Sequence, residues 1–352
     1  VLVIAGYFFS LPVRDFIIHF SIADGLSYPR LAFNVAHGQG STYDGITRTN
    51  GYHPLWMWLH VPLMLGADSA MSRMGAVRLL WVGVALAAVF IWSRFVGRLT
   101  GSRLASAVLV VVMGGFGWSI YVLYAGVETS LFLALLGLSL ALSDRLIACA
   151  KPSVASCAAL GTVMALGFLA RLDGIFALGL LGAVVLNHLC GVSWKHASAW
   201  LVSVVGIPTP YLLWNLKTFG GLNPISGRMK TLDGIDLSRT LAILERWVTR
   251  KAELLPAGSF TVLGVTACAG LCVLIWMLRL KSERRGVFRV LWVLPVGAIA
   301  HYVYYLLKIR ELNISWHLFL QVETIYVFVA LFGYVVSTRS AKTPDGPTHR
   351  ST

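Results

Sequence analysis

Residues 23–56 read ADGLSYPRLAFNVAHGQGSTYDGITRTNGYHPLW. This stretch is too polar to be membrane core and too patterned to be a linker. Leu26, Leu31 and Val35 recur at helical spacing and predict a short helix, which Gly38 and Gly40 stop. Asp24 sits just ahead of that helix. As a carboxylate there it suits an N-cap; as an acid at a membrane surface it suits a general base that deprotonates an acceptor hydroxyl. Outward from this loop the character of the chain changes. Apolar runs fill roughly 1–13, 77–97, 104–122, 128–143, 154–170, 174–190, 197–216, 260–280, 288–307 and 317–337. Most approach the roughly 20 residues that a membrane span needs. The segment from Pro54 to Gly66 is too short to span, and Trp56, Trp58 and His60 give it the look of an interfacial helix.

Composition agrees with an all-α, polytopic integral membrane protein of about ten transmembrane helices, with a long first external loop that carries short amphipathic helices. Hydrophobic residues make up 57% of the 352 and charged residues only 12%, about half the charged share of a soluble domain. The net charge of +14 does not point to nucleic acid, because the basic residues lie between apolar runs, where they act as topology signals and headgroup contacts. The cluster Arg279, Lys281, Arg284, Arg285 and Arg289 marks a cytoplasmic loop. Counting spans from it puts loops 21–76 and 217–259 outside and both ends inside. Loop 217–259 carries seven basic residues, which either translocate with a long loop or serve an external anion. The expected organisation is a module over 1–259, further spans over 260–339 and a disordered cytoplasmic tail over 340–352. Cys149, Cys157, Cys190, Cys268 and Cys272 lie in or beside apolar runs, which disfavours a disulfide framework or zinc site. Val1 stands inside an apolar run and reads as part of a truncated first span.

The ordered polar pieces resemble bacterial members of the GT-C glycosyltransferase superfamily. Ala23-Asp24-Gly25 stands where such proteins show Asp-Asp-Ala. Ala32-Phe33-Asn34-Val35-Ala36-His37-Gly38-Gln39-Gly40 resembles the Ala-x-Asn-x-Ala-x-Gly-x-Gly run, and Asn50-Gly51-Tyr52-His53-Pro54-Leu55-Trp56 resembles Asn-Gly-x-His-Pro-Leu-Trp. Gly126-Val127-Glu128-Thr129, Arg171-Leu172-Asp173-Gly174 and the series Asn215, Phe219-Gly220, Asn223-Pro224, Lys230 follow in the same order. Residues 260–352 are similar only as generic membrane helices. The resemblance implies a polyprenyl-phosphate sugar donor, a glycan, lipid or protein acceptor, an inverting transfer, and a first-loop acid as base. It also implies a bacterial inner membrane with the site on the external face. The first of the two usual acids is replaced by Ala23, which leaves open which acid is the base and keeps a non-catalytic subunit in view.

Asp24 and Glu128 are therefore the candidate catalytic acids. Arg30, Asn50, His53, Arg171, Asp173, Arg228, Lys230 and His301 are the candidate donor- or substrate-binding residues. Span counting places these, with Asp44 and Arg310, on the external side, and ionisable groups kept at membrane depth tend to be functional. Each also has a structural reading: Glu128 as a helix cap, Arg171 and Asp173 as a pair across a tight turn, His53 held by a backbone group. Arg228 and Lys230 are either donor-phosphate ligands or headgroup contacts. No carboxylate cluster has metal geometry, so neither a metal nor another cofactor is assigned. A transporter or flippase is disfavoured, because polar residues collect at one face rather than at mid-membrane.

Overall fold

The structure is a computed structural model that describes residues 2–66, 69–115, 119, 123–231, 234, 238 and 290–308. Among them helices dominate, with an isolated bridge between Thr42 and Arg48. The expected spans 260–280 and 317–337, the 279–289 basic cluster, Arg310 and the 340–352 tail fall outside the described residues.

The first apolar run does not form one rod. Helix α1 (Leu2–Ser10) stops before Pro12, and α2 (Val13–Phe20) restarts after it. Proline lacks an amide donor and disfavours helical backbone in the residue before it. The side chain of Arg78 satisfies the stranded carbonyl of Leu11 at 2.5 Å. Phe8 of α1 and Phe16 of α2 then fold against Tyr124 and Trp81, with ring centroids 4.3 and 6.4 Å apart.

The loop quoted above folds as a helix, a glycine-rich excursion and a second helix. Helix α3 (Ala23–Ala36) buries Gly25, Tyr28, Leu31, Ala32 and Asn34 on one stripe, the 3.6-residue pattern of a helix with one packed face. It ends where Gly38 adopts a positive φ of 78°, a conformation open to glycine at little steric cost. Asn34 donates from α3 to the Thr42 carbonyl at 2.7 Å and fixes the excursion to the helix. Helix α4 (Pro54–Leu65) closely follows the expected bounds, and its aromatic residues divide between two sides. Trp56, Met57 and His60 are buried in protein, while Trp58 faces outward. Trp56 donates to the Gly126 carbonyl at 2.9 Å, and Trp81 donates to His60 Nε2 at 2.8 Å. The His60 Nδ1 then carries the proton and gives it to the Trp56 carbonyl 2.8 Å away.

Helix α5 (Ala70–Thr100) is 31 residues long, α7 (Thr129–Ala148) is 20, and the stretch Leu172–Val192 that contains α9 (Ile175–Val192) is 21. The stretch Trp194–Phe219 adds 26, so four segments among the described residues are long and apolar enough to cross a membrane. Helix α5 starts seven residues before its expected bound, because Ser69 caps it by accepting from Ser72 N–H at 3.1 Å. The expected span 197–216 is two helices, α10 (Trp194–Gly206) and α11 (Thr209–Phe219), separated at Ile207 and Pro208. Shorter helices complete the bundle: α6 (Arg103–Gly115), α8 (Val154–Ala170), α12 (Ile225–Lys230) and α13 (Val293–Lys308). Leu79, Phe90, Val111 and Val202 are each more than half exposed, as lipid-facing side chains are.

Glycines set the close contacts. Gly137 of α7 lies under the Trp92 indole of α5, Gly161 of α8 under the Trp200 backbone of α10, and Gly297 of α13 against Ala177 of α9. Helices α5 and α7 run parallel: Trp81 meets Gly126 at one end, and Arg98 meets Ala141 and Asp144 at the other.

Candidate active site

At the Trp81 end, the non-helical joints between helices converge. Helix α3 docks there by its N-terminus. Ile22 N–H donates to the Ala125 carbonyl at 3.3 Å, and a Cβ on Gly25 would fall 2.3 Å from that same oxygen. Gly126 turns with φ 84° directly under Trp81, which leaves no room for a side chain. This docking delivers Tyr28, one turn further along α3, to Glu128 at the head of α7: the hydroxyl donates to Oε2 at 2.7 Å.

Glu128 stands at the N-cap position of α7 but makes no side-chain cap bond. Its second oxygen instead accepts from Arg171 Nη1 at 2.6 Å. Arg171 follows the last turn of α8 in extended backbone (φ −155°) and is 1% exposed. It also donates to Thr129 Oγ1 at 2.8 Å, and it forks onto Asp173 through Nε (2.9 Å) and Nη2 (3.2 Å). The pairing across the turn is thus present, but the guanidinium also reaches across the bundle. Gly174 is required beside it, since a Cβ there would sit 2.1 Å from the Phe132 ring. His301 of α13 brings Nε2 to 3.4 Å from Asp173 Oδ2.

His53, just ahead of α4, closes the network. Its Nδ1 accepts from Leu172 N–H at 3.2 Å, so Nε2 holds the proton and faces Glu128 Oε1 at 3.5 Å. Burial holds the imidazole below its ordinary range. Glu128 pulls it up, but Arg171 and Lys230 push down with burial, and the ring stays neutral near pH 7. Burial pushes the Glu128 carboxyl up; His53, Arg171 and the Tyr28 hydroxyl together outweigh it and hold the group ionised. With two carboxylates, one guanidinium and neutral His53, the core of the cluster carries one net negative charge.

The remaining candidates lie around this floor. Asn50 is fully buried: its amide donates to Asn215 Oδ1 at 3.0 Å and its oxygen accepts from Ile225 N–H at 2.9 Å. Asn215 in turn donates to the Leu222 carbonyl at 3.0 Å. Asn50 therefore straps the α11–α12 joint to the first loop. That strap brings Lys230 close enough to His53 to affect its titration. Arg228 and Lys230 are exposed, and the Arg228 guanidinium lies over Gly221, where a Cβ would be only 2.7 Å away. Arg30 is exposed and donates to the Tyr43 carbonyl at 3.2 Å. Asp44 accepts from Ile46 and Thr47 N–H at 2.8 and 2.7 Å and folds its own turn.

Asp24 corrects one expectation. It lies inside the first turn of α3, not ahead of it; Ile22 holds the N-cap position, and there is no side-chain cap bond. Its carboxylate is exposed, on the same helix face as Tyr28 four residues later. Tyr28 and Thr129 were not among the sequence-derived site residues. The spacing of Tyr28 from Asp24 is the signal that could have found it. Among the described residues no group of three or more His, Cys, Asp or Glu is placed to hold a metal ion.

No protein-family model and no curated protein matches the chain. Solved structures do. ArnT from Cupriavidus metallidurans in its apo state superposes with a TM-score of 0.57 at 14% identity, over 96% of this chain and 62% of that one. The same protein bound to undecaprenyl phosphate gives 0.56 at 15%, over 96% and 63%. Archaeal oligosaccharyltransferase AglB from Archaeoglobus fulgidus, in complex with an inhibitory peptide and a dolichol-phosphate, gives 0.46 at 12%, over 94% and 49%. This chain has the all-helical fold of the ArnT structures, in keeping with the architecture that the first-loop resemblance implied, and spans less than two thirds of the ArnT chains.

Proposed function

We propose that the chain is a glycosyltransferase that moves a sugar from a polyprenyl-phosphate donor to an acceptor hydroxyl at the outer face of a bacterial inner membrane, with inversion. The fold is shared with a protein solved with undecaprenyl phosphate bound. The observation that carries the reading is the arrangement around the buried network. An exposed carboxylate, Asp24, stands one turn from Tyr28 on one flank, and Lys230 of α12 lies near enough to His53 on the other to act on its charge.

The roles follow from exposure and occupancy. Both Glu128 oxygens are engaged by Tyr28 and Arg171, so Glu128 is a positioning group that orients the loops. Asp24 is the base: it takes the proton as the acceptor oxygen attacks the anomeric carbon and the sugar–phosphate bond breaks. Lys230 and Arg228 meet the negative charge that grows on the leaving polyprenyl phosphate. Among the described residues the ionic network sits at one end of the bundle, as a surface reaction needs and an alternating-access transporter does not.

The test is turnover by purified protein with labelled polyprenyl-phosphate sugars and candidate acceptors. Release of polyprenyl phosphate together with a glycosylated product of opposite anomeric configuration supports the reading. Movement of intact donor across a vesicle membrane without cleavage, or no reaction across a broad panel of donors, overturns it. Lys230→Met should lower turnover at saturating donor by about 10²-fold, and unchanged turnover would reduce Lys230 to a headgroup contact.

A further inference from the structure

A second charged site lies at the far end of the bundle. A cleft of about 590 Å³ opens between the ends of α5 and α7 and the start of α6, lined by Arg94, Arg98, Arg103 and Arg145. Arg98 is fixed: its Nη2 donates to the Ala141 carbonyl at 3.0 Å and to Asp144 at 3.2 Å. Arg94, Arg103 and Arg145 are exposed and have no ion pair among the described residues. Four guanidinium groups around one cleft, with Asp144 the one carboxylate paired there among the described residues, favour the entry of an anion. The N-terminus of α6 adds to the positive field, since its first turn lies on the cleft wall at Ser102 and Arg103. The C-terminal dipoles of α5 and α7 offset only part of that charge.

The wall below the arginines is apolar. Phe90, Leu138 and Leu142 line it, and Phe90 is 60% exposed. The depth also fits a membrane. Seventeen residues of α5 separate Trp81, beside the candidate active site, from Arg98, a rise of about 25 Å. The hydrocarbon core is about 30 Å thick, so the two ends of α5 sit at opposite interfaces.

We propose that this cleft binds the phosphate of an anionic membrane phospholipid, with the arginines around the phosphodiester and an acyl chain along Phe90, Leu138 and Leu142. Guanidinium forks match phosphate oxygens, and basic pockets between transmembrane helices hold anionic headgroups. The volume suits a headgroup. The site is remote from the proposed donor site and independent of the proposed transfer reaction.

The experiment measures lipid binding to the intact protein, purified and delipidated in neutral detergent, by native mass spectrometry and by displacement of a fluorescent phosphatidylglycerol. Phosphatidylglycerol should bind in preference to phosphatidylcholine. The double variant Arg94→Gln/Arg145→Gln should bind it about thirtyfold more weakly. Lys195→Gln, which removes a cation from the same end of the bundle outside the cleft, should bind as wild type. Arg94→Lys/Arg145→Lys keeps the charge and guards against a folding defect; it should lie between the two. Inorganic phosphate identifies the source: weak displacement at millimolar concentration supports the lipid, and displacement as effective as the lipid's own would overturn it in favour of a soluble phosphate. Equal binding of the two lipids, or equal loss in Lys195→Gln, would show only diffuse surface charge and sink the proposal.

Discussion

Arg171→Met removes the one cation from a buried cluster that holds two carboxylates. The guanidinium is 1% exposed and touches Glu128, Thr129 and Asp173 within 3.2 Å. Removing one partner of a buried ion pair costs about 3–5 kcal/mol, because the other charge is left uncompensated. For a chain this long roughly 2 °C of melting temperature goes with each kcal/mol, so the apparent melting temperature in detergent should fall by about 6–10 °C. Glu128→Gln alone should cost about 1–3 kcal/mol, since the amide still accepts from Arg171 and the fork onto Asp173 survives. The decisive result is the double variant. In the Arg171→Met background Glu128 is a buried carboxylate that has lost its guanidinium and keeps only Tyr28 and neutral His53, so Glu128→Gln should raise the melting temperature there, although it lowers it in wild type. This change of sign is a coupling that a double-mutant cycle isolates. If Glu128→Gln lowers stability equally in both backgrounds, or if Arg171→Met costs less than about 1 kcal/mol, the ionic floor is not what holds the loops together.

Two further perturbations probe the same construction. Stability should fall as pH drops below about 6.5, because burial lowers His53 below that value and lowers His60 to about 4, so the unfolded chain takes up protons that the folded one refuses. His53→Gln should flatten part of that slope below about pH 6.5 in thermal melts, and an unchanged slope would contradict a neutral His53. Asn50→Ala should cost about 1–3 kcal/mol, because it strands the Asn215 oxygen and the Ile225 amide. It should raise hydrogen exchange over residues 220–231 more than elsewhere, whereas a uniform rise would deny Asn50 its role as a strap.

Much of the fold was legible in the residues. The apolar runs located α8 and α9 within two positions and α5 and α7 within five to seven, because a span must be long and apolar whatever packs beside it. The breaks were harder. Proline at 12 and at 208 interrupts runs that are continuous in hydropathy, and hydropathy does not register a missing amide donor. The partners of helix α4 could not be read: the burial of Trp56 and His60 depends on Gly126 and Trp81, which are remote in sequence. In the site, Glu128, Arg171, Asp173, His53 and His301 were all named from residue type and position, and the structure brings them together. Apart from the Arg171–Asp173 pair across its turn, their mutual pairing could not be read, since it joins positions 43 to 128 residues apart. Tyr28 escaped notice because a tyrosine in a membrane protein is ordinarily an interface anchor. Asp24, expected just ahead of the helix as a cap or a general base, lies in its first turn, two residues after the Ile22 N-cap.

The most direct measurement is the transfer rate of Asp24→Asn, taken with its melting temperature. Asp24 makes no cap bond, so the substitution should cost less than about 1 kcal/mol through the helix dipole alone. With the fold intact, a lost general base should slow sugar transfer by about 10²–10⁴-fold at unchanged donor affinity. A folded Asp24→Asn protein that transfers sugar within a few-fold of wild type would contradict the assignment of Asp24 as the base.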